Sequence, residues 1–389
     1  MMAVLSLLLV SSAAAQDMRR GVMQPYPDII GEETPAPAGY KPFYISHFGR
    51  HGSRYLSREK VVLPALEPLS AAHNEGILTA AGEELFLMVS EVYSRSCGMW
   101  GQLSPLGVEE HKAIARRMVK RYPSVFKDSV RVMSSTYPRC IVSMASSTGE
   151  IQRLSPRTKW SYKVGKRYQS IINTANRPAS WVSGASIQRK YLQKHLGTED
   201  LLSRIFKAPS RGKELIQSPS SFFKAVFNTW SIREAICLEP FDLDAVLGKD
   251  AVDIIARSEN LAMYRNMAIP NADSLITDIV VKADAAVASL KPQADLRYGH
   301  DNGLMRLLVQ IGMEGYPLDL EEDLAAEFCF ARKVPLGANL QMVFYCNKKG
   351  RVLVKFLVNE CECALGSLSG GPYYPWEEVR ALLEKDCLK

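Results

Sequence analysis

Arg50-His51-Gly52-Ser53-Arg54 places an imidazole between two guanidinium groups. An imidazole attacks an electrophile only as the neutral base, and flanking positive charge disfavours the imidazolium. The same arginines carry forked N–H donors that match the oxygens of a phosphoryl group. Phosphoryl transfer through histidine is therefore the chemistry that these residue types suit. A second cluster, Arg297-Tyr298-Gly299-His300-Asp301-Asn302, stands directly before the helical pattern Leu304, Leu307, Leu308, Ile311. An acid at that point can cap the first turn, and a helix N-terminus also welcomes an anion. Capping accounts for Asp301 but not for His300, one of six histidines in the chain.

Both clusters need elements to carry them. The run Phe43-Tyr44-Ile45-Ser46-His47-Phe48 reads as a strand delivering the first, and Pro25 to Pro42 before it, rich in Pro, Gly and acids, reads as a linker. A helix is expected around Ala80 to Tyr93, and another from Pro105 to Tyr122 with Ile114, Met118 and Val119 inward and His111 at the surface. A short strand over Val130 to Met133 leads to a helix after Pro138. Leu340 to Cys346 and Val352 to Val358 alternate as strands of a hairpin. The stretch from about 153 to 290 is helical in pattern, as in Leu201 to Phe206, Phe222 to Ile232 and Ala251 to Tyr264. Strands gathered at both ends of the chain imply an α/β core assembled from residues 16–152 and 290–389, with a helical insertion over 153–289. His51 and Asp301 would then meet beyond the carboxyl ends of adjacent strands.

With 389 residues, 47% hydrophobic and 23% charged, the chain has the composition of a soluble protein with a large core. Met1 to Ala15 is uncharged, carries the apolar run Val4 to Val10 and ends in alanines, the pattern of a secretory leader, so a secreted or periplasmic location is expected. No stretch is long enough to span a bilayer. Eight cysteines allow up to four bridges in an oxidising compartment, with a pairing that spacing does not reveal. There is no H-E-x-x-H and no CxxC pair, and His47 and His51 lie across a strand end, so no metal or other cofactor is expected. His73 and His195 stand near no partnered motif, and His47 is expected simply to pack against the sheet.

Charge is unevenly spread. Between Ile151 and Thr198 there are ten basic residues and no acid, enough by themselves to account for the net charge of +7. Such a segment would attract a polyanionic substrate, and Arg157 and Lys159 are its candidate contacts. A solvated basic surface, or a patch for an anionic polysaccharide or nucleic acid, is the other reading of the same residues.

The chain resembles the histidine phosphatase superfamily, in the branch of acid phosphatases and phytases. The family's RHGxRxP reads here as Arg50 to Leu56, with Leu56 in place of the proline and Ser57 in place of the following threonine, and its HD dipeptide as His300-Asp301. The middle arginine matches Arg139 in Ser135-Thr136-Tyr137-Pro138-Arg139, and further similarity runs through Gly101 to Gly107 and Asn339 to Tyr345. The resemblance implies a phosphoglycerate-mutase-like three-layer core with an inserted α-helical cap. It implies His51 as nucleophile, Asp301 as proton donor, and Arg50, Arg54, Arg139, His300 and Ser57 as phosphate ligands. The expected substrate is a small phosphate monoester, inositol polyphosphates included, with sugar phosphates or a broad acid phosphatase activity as the alternative and no nucleic acid as partner. A mutase sharing the RHG nucleophile and a noncatalytic polyanion-binding protein are the remaining readings.

Overall fold

The computed structural model describes residues 18–27, 31–172, 183–318 and 326–387; the leader-like Met1 to Ala15 and Arg177 lie outside them. Period-two alternation builds its sheet. In β1 (Lys41–Arg50), Ile45 points to one face while Tyr44 and Phe48 point to the other. In β4 (Gln293–Gly299), Ala294, Leu296 and Tyr298 share the face of Ile45, as do Val130 and Val132 of β2 (Ser129–Ser134). β5 (Asn339–Cys346) divides in the same way, with Leu340, Met342 and Phe344 opposite Val343 and Tyr345. Each face is covered by helices, as a mostly parallel sheet requires. Pro105–Arg121 and Pro138–Leu154 cover the first, and Asp273–Ser289, Asp301–Gln310 and Trp376–Cys387 cover the second. The core is therefore three-layered, as expected.

With β3 (Lys159–Val164), β6 (Val352–Val358) and β7 (Cys361–Glu362), the strand order is β3-β2-β4-β1-β5-β6-β7, and β8 (Tyr374–Pro375) also pairs β6. β3, β2, β4 and β1 run parallel, whereas β5 and β6 form the expected antiparallel hairpin. The register aligns Ser134 with Tyr298 and Arg50 with Gly299, so the chain leaves β1, β2 and β4 at one level of the sheet. The two clusters of chemical interest emerge there.

A second hydrophobic cluster is helical. It joins Leu63–Asn74 and Ala80–Ser96 to Thr198–Ile205, Pro219–Ile232 and part of Lys249–Met267. The expected division of the chain thus shifts. β3 falls inside 153–289 but is an edge strand of the sheet, and the helix Asp273–Ser289 buries Leu275, Ile276, Ile279 and Ala283 against it. Conversely, the two helices of residues 63–96 pack with the inserted ones. The Pro25 to Pro42 stretch is not a free linker where it is described. Tyr26 is buried, and Glu33 accepts from Lys355 Nζ at 2.6 Å.

Candidate active site

Backbone contacts set the loop after β1 before any side chain acts. His51 N donates to Gly299 O at 3.0 Å, and His51 O accepts from Gly337 N at 2.9 Å. Ser53 O accepts from Ser104 N, Tyr55 N donates to Gln102 O and Leu56 O accepts from Gly101 N, so the Gly101–Gly107 segment lies antiparallel along the loop. The helix that follows comes so close that a Cβ at Gly107 would stand 2.2 Å from Ser53 O, and one at Gly52 would stand 2.7 Å from Gly107 O. Both glycines are required by this approach of one backbone to another.

The side chains then converge. His51, Arg54, Arg139, His300 and Asp301 line one cavity of about 540 Å³. The rings of His51 and His300 lie 5.6 Å apart, nearly perpendicular. Arg139, in the first turn of Pro138–Leu154, stacks over Tyr137 and donates from Nη2 toward His300 Nδ1 at 3.3 Å. His300 occupies the cap position of Asp301–Gln310 in extended backbone, and Asp301 Oδ1 accepts from Asn302 N at 2.8 Å. The far wall belongs to the helical cluster and its neighbours, with Lys224, Asn266 and Ser183 among its residues.

Burial and charge tune these groups. His51 is 2% exposed, and its pKa lies well below the usual imidazole value, first through burial and then through Arg139, Arg50, Arg54 and His300. Its Nδ1 lies 3.0 Å from Gly52 O, which only an N–H can face, so the lone pair resides on Nε2. His300 is pushed down to about 4 by burial and Arg139. Both rings are neutral in mildly acidic solution. Burial pulls Asp301 upward, but Arg50, His300 and the Asn302 N–H outweigh it and leave its pKa below the ordinary carboxyl value. Arg54 is lowered to about 9 by burial and by Arg139 and Arg50, which still leaves it charged.

Three guanidiniums with one carboxylate leave the site strongly positive. Arg50 Nε, Arg54 Nε and Arg139 Nε are buried and have no hydrogen-bond acceptor among the described residues, while Arg50 Nη2 is held by Asp301. A buried donor without a partner costs about 1–3 kcal/mol, more when it is charged. An oxyanion with several acceptor oxygens is the ligand that satisfies such a set.

Not every expected residue is where its motif implies. Arg50 does not line the cavity: it is fully buried, its Nη1 donates to Val22 O and Val334 O, and its Nη2 sits 2.9 Å from Asp301 Oδ2. Ser57 is exposed and outside the cavity, because the chain after Arg54 turns away along residues 101–103. Lys159 begins β3, level with Ser129 and Gln293 at the end of the sheet opposite the site; it is 80% exposed and pairs with Asp128. Arg157 precedes it and is likewise exposed, so neither reaches the cavity. Within the basic segment, Gln169 donates to Thr136 Oγ1, beside Tyr137 of the cavity wall. His111 is not at the surface: it is 2% exposed, beside Tyr298, and burial lowers it to about 4. His47 packs inside the sheet beside Tyr298, as expected.

Two neighbours had no motif to announce them. Cys140 Sγ donates to Gly299 O at 3.2 Å, and burial pushes its thiol up to about 12, so it is inert as a nucleophile. Glu110 lies behind the loop, with burial raising its carboxyl to about 7 against the pull of the Ser53 and Tyr26 donors. Cys97, Cys140, Cys237, Cys329, Cys346, Cys361 and Cys363 are free thiols. Among the described residues, no group of three or more His, Cys, Asp or Glu could hold a metal ion, and no helix is long and apolar enough to cross a membrane.

No family model matches the chain, and no curated protein matches it by sequence. Solved structures do match. The multiple inositol polyphosphate phosphatase of Bifidobacterium longum, in complex with inositol hexasulfate, is similar with a TM-score of 0.75 at 17% identity, covering 94% of this chain and 97% of that one. The phytase from D. castellii is similar with a TM-score of 0.68 at 15% identity over 95% and 85% of the two chains. The Hafnia alvei phytase in complex with myo-inositol hexakis sulphate gives 0.55 at 12% over 90% and 99%. The fold is shared along nearly the whole chain, as the sequence resemblance implied.

Proposed function

We propose that the protein is a histidine phosphatase that hydrolyses phosphate monoesters through a phosphohistidine on His51, with inositol polyphosphates among its substrates. One observation carries this reading: a neutral, buried imidazole stands amid buried guanidinium N–H groups that have no acceptor. The phosphoryl oxygens of an incoming ester would engage Arg54 and Arg139 beside His300, with Arg50 completing the positive cage from behind. His51 Nε2 attacks phosphorus in line with the ester oxygen, and charge in the transition state spreads over the bound oxygens. The P–O bond breaks as the alkoxide takes a proton from Asp301, giving the free alcohol and phosphohistidine. Water then attacks phosphorus, Asp301 takes its proton, the P–N bond breaks, and inorganic phosphate leaves with His51 restored.

Asp301 is ionised in the free protein because Arg50 pairs with it. An anionic phosphate competes for that guanidinium, which weakens its hold on Asp301 and favours uptake of the proton that the leaving group needs. Mildly acidic activity follows. Support for a multiply phosphorylated substrate comes from the cavity's size, from Lys224 on its far wall, and from neighbours that are described as phytases or were solved with inositol hexasulfate. The helical cluster acts as the cap that supplies this wall. The leader-like Met1 to Ala15 supports export to a secreted or periplasmic location.

Phosphate release from inositol hexakisphosphate, glucose phosphate and an aryl phosphate tests the reading. Release that disappears in His51→Ala is expected. Tight binding of polyanions without release from any ester would instead favour a noncatalytic binding protein.

A further inference from the structure

Glu110 has no part in the scheme above, yet it is 7% exposed and accepts hydrogen bonds from the nucleophile loop and the N-terminal segment. Its Oε2 accepts from Ser53 N at 2.6 Å, and its Oε1 accepts from Ser53 Oγ at 2.7 Å and Tyr26 N at 2.9 Å. The N–H of Ser53 and the carbonyl of Gly52 belong to one peptide group, and that carbonyl accepts the Nδ1–H of His51 at 3.0 Å. A peptide is planar and rigid, so anchoring its N–H fixes the direction of its carbonyl. Three donors at 2.6, 2.7 and 2.9 Å engage the two oxygens of this one buried side chain, which makes the anchor stiff.

We propose that Glu110 is a positioning residue that sets the attack geometry of His51 through the Gly52–Ser53 peptide. The carboxylate holds one end of the peptide and the other end holds the imidazole. This fixes both the ring's orientation and its tautomer, leaving the Nε2 lone pair aimed into the cavity. Glycine at 52 belongs to the same device, because a Cβ there would lie 2.9 Å from Glu110 Oε2 and push the loop off its anchor. The Pro105–Arg121 helix is thereby the platform for the nucleophile. Through Tyr26 the same carboxylate ties in the segment whose Val22 O and Met23 Sδ contact Arg50 and Arg54.

The inference rests on His51 being the nucleophile, and Glu110→Met tests it. Methionine keeps the length of the side chain but removes both acceptor oxygens, so Ser53 N–H, Ser53 Oγ and Tyr26 N–H lose their partner and the peptide loses its anchor. The expected result is a fall in kcat of about 10- to 100-fold, the scale of a small misplacement of a reacting group. KM and inhibition by inorganic phosphate should stay within about threefold, because the arginines hold the phosphate. Calorimetry should still find one phosphate bound per chain, which a merely structural defect would not preserve. Unchanged kcat, or a loss of kcat matched by an equal loss of phosphate-binding chains, would overturn the proposal. Should Glu110→Met not fold, Glu110→Asp withdraws the carboxyl group by about 1.5 Å and reads the same split, with wild-type turnover again overturning it. Wild-type protein that hydrolyses no ester would overturn this inference and the proposed function together, whereas an active wild type with an indifferent Glu110→Met would remove the inference alone.

Discussion

Arg50 Nη2 lies 2.9 Å from Asp301 Oδ2, closing an ion pair between the ends of two adjacent parallel strands. In the proposed mechanism this pair couples the proton donor to the phosphate cage: in the free protein the guanidinium holds the carboxyl below its ordinary pKa, and a bound phosphate oxygen would compete for the same charge. Removal of Asp301 therefore matters only where the leaving group needs a proton. Asp301→Ala should slow alkyl phosphates about 100-fold or more, and aryl phosphates with acidic phenols by less than about tenfold. Steady-state rates on the two substrate types check this, and equal losses would contradict the donor role.

The pH dependence has a definite sign. Asp301 must be protonated to act and has a pKa below the ordinary carboxyl value, so the reactive fraction grows as pH falls. His51 titrates well below 6.5, so acidification through that range does not remove the nucleophile. A profile of kcat/KM should rise from about pH 7 to about pH 5. A decline on the acid side centred near 6.5 would mean that the nucleophile is an ordinary imidazole.

Buried guanidinium donors that find no acceptor among the described residues favour binding of an oxyanion. Inorganic phosphate at about 100 times its dissociation constant should stabilise the fold by about 2.7 kcal/mol, read as a rise in melting temperature. Arg139→Ala should reduce that rise markedly. An equal rise in the variant would place the anion elsewhere.

The close approach of Gly107 to Ser53 gives a further expectation. Gly107→Ala forces the helix and the nucleophile loop apart and should cost about 1–3 kcal/mol of stability together with most of the activity. Denaturant unfolding and turnover measure the two effects, and a fully active, equally stable variant would contradict the packing described.

Much of this architecture was legible in the residues themselves. Alternation in Phe43 to Phe48 and in the two hairpin strands marked the sheet. Charged and nucleophilic types at 50–54 and 300–301 marked the site, because such groups are rarely gathered without a task, and the family resemblance added Arg139. What escaped did so for physical reasons. β3 alternates Trp160, Tyr162 and Val164 with Lys159, Ser161 and Lys163, but as an edge strand it leaves most of these residues exposed, and its lysines look like a substrate surface although Lys159 starts the strand at the wrong end of the sheet. Glu110 and His111 sit among Glu109, Lys112 and Arg116 on a helix that reads as solvated on that side. The loop folded back on it covers Glu110, and Tyr298 of the sheet with Ser147 of the next helix covers His111. Arg50 was recognised as a charge, but its direction toward two carbonyls and Asp301 depends on the N-terminal segment and on residue 334, both distant in the chain.

The relocation of the basic residues carries its own expectation. Arg157→Ala with Lys159→Ala should leave KM for inositol hexakisphosphate within about twofold, since neither side chain reaches the cavity, whereas Lys224→Ala should raise it by up to about tenfold, equivalent to about 1.4 kcal/mol. The reverse ranking would return the substrate surface to β3.

The most direct test of the account is to capture the intermediate. Rapid quenching in alkali after mixing with a radiolabelled ester should leave about one phosphoryl group per active chain at most, acid-labile and borne on a peptide containing His51, and absent from His51→Ala. Turnover by the wild-type protein with no such label, or label that persists in His51→Ala, would contradict the account.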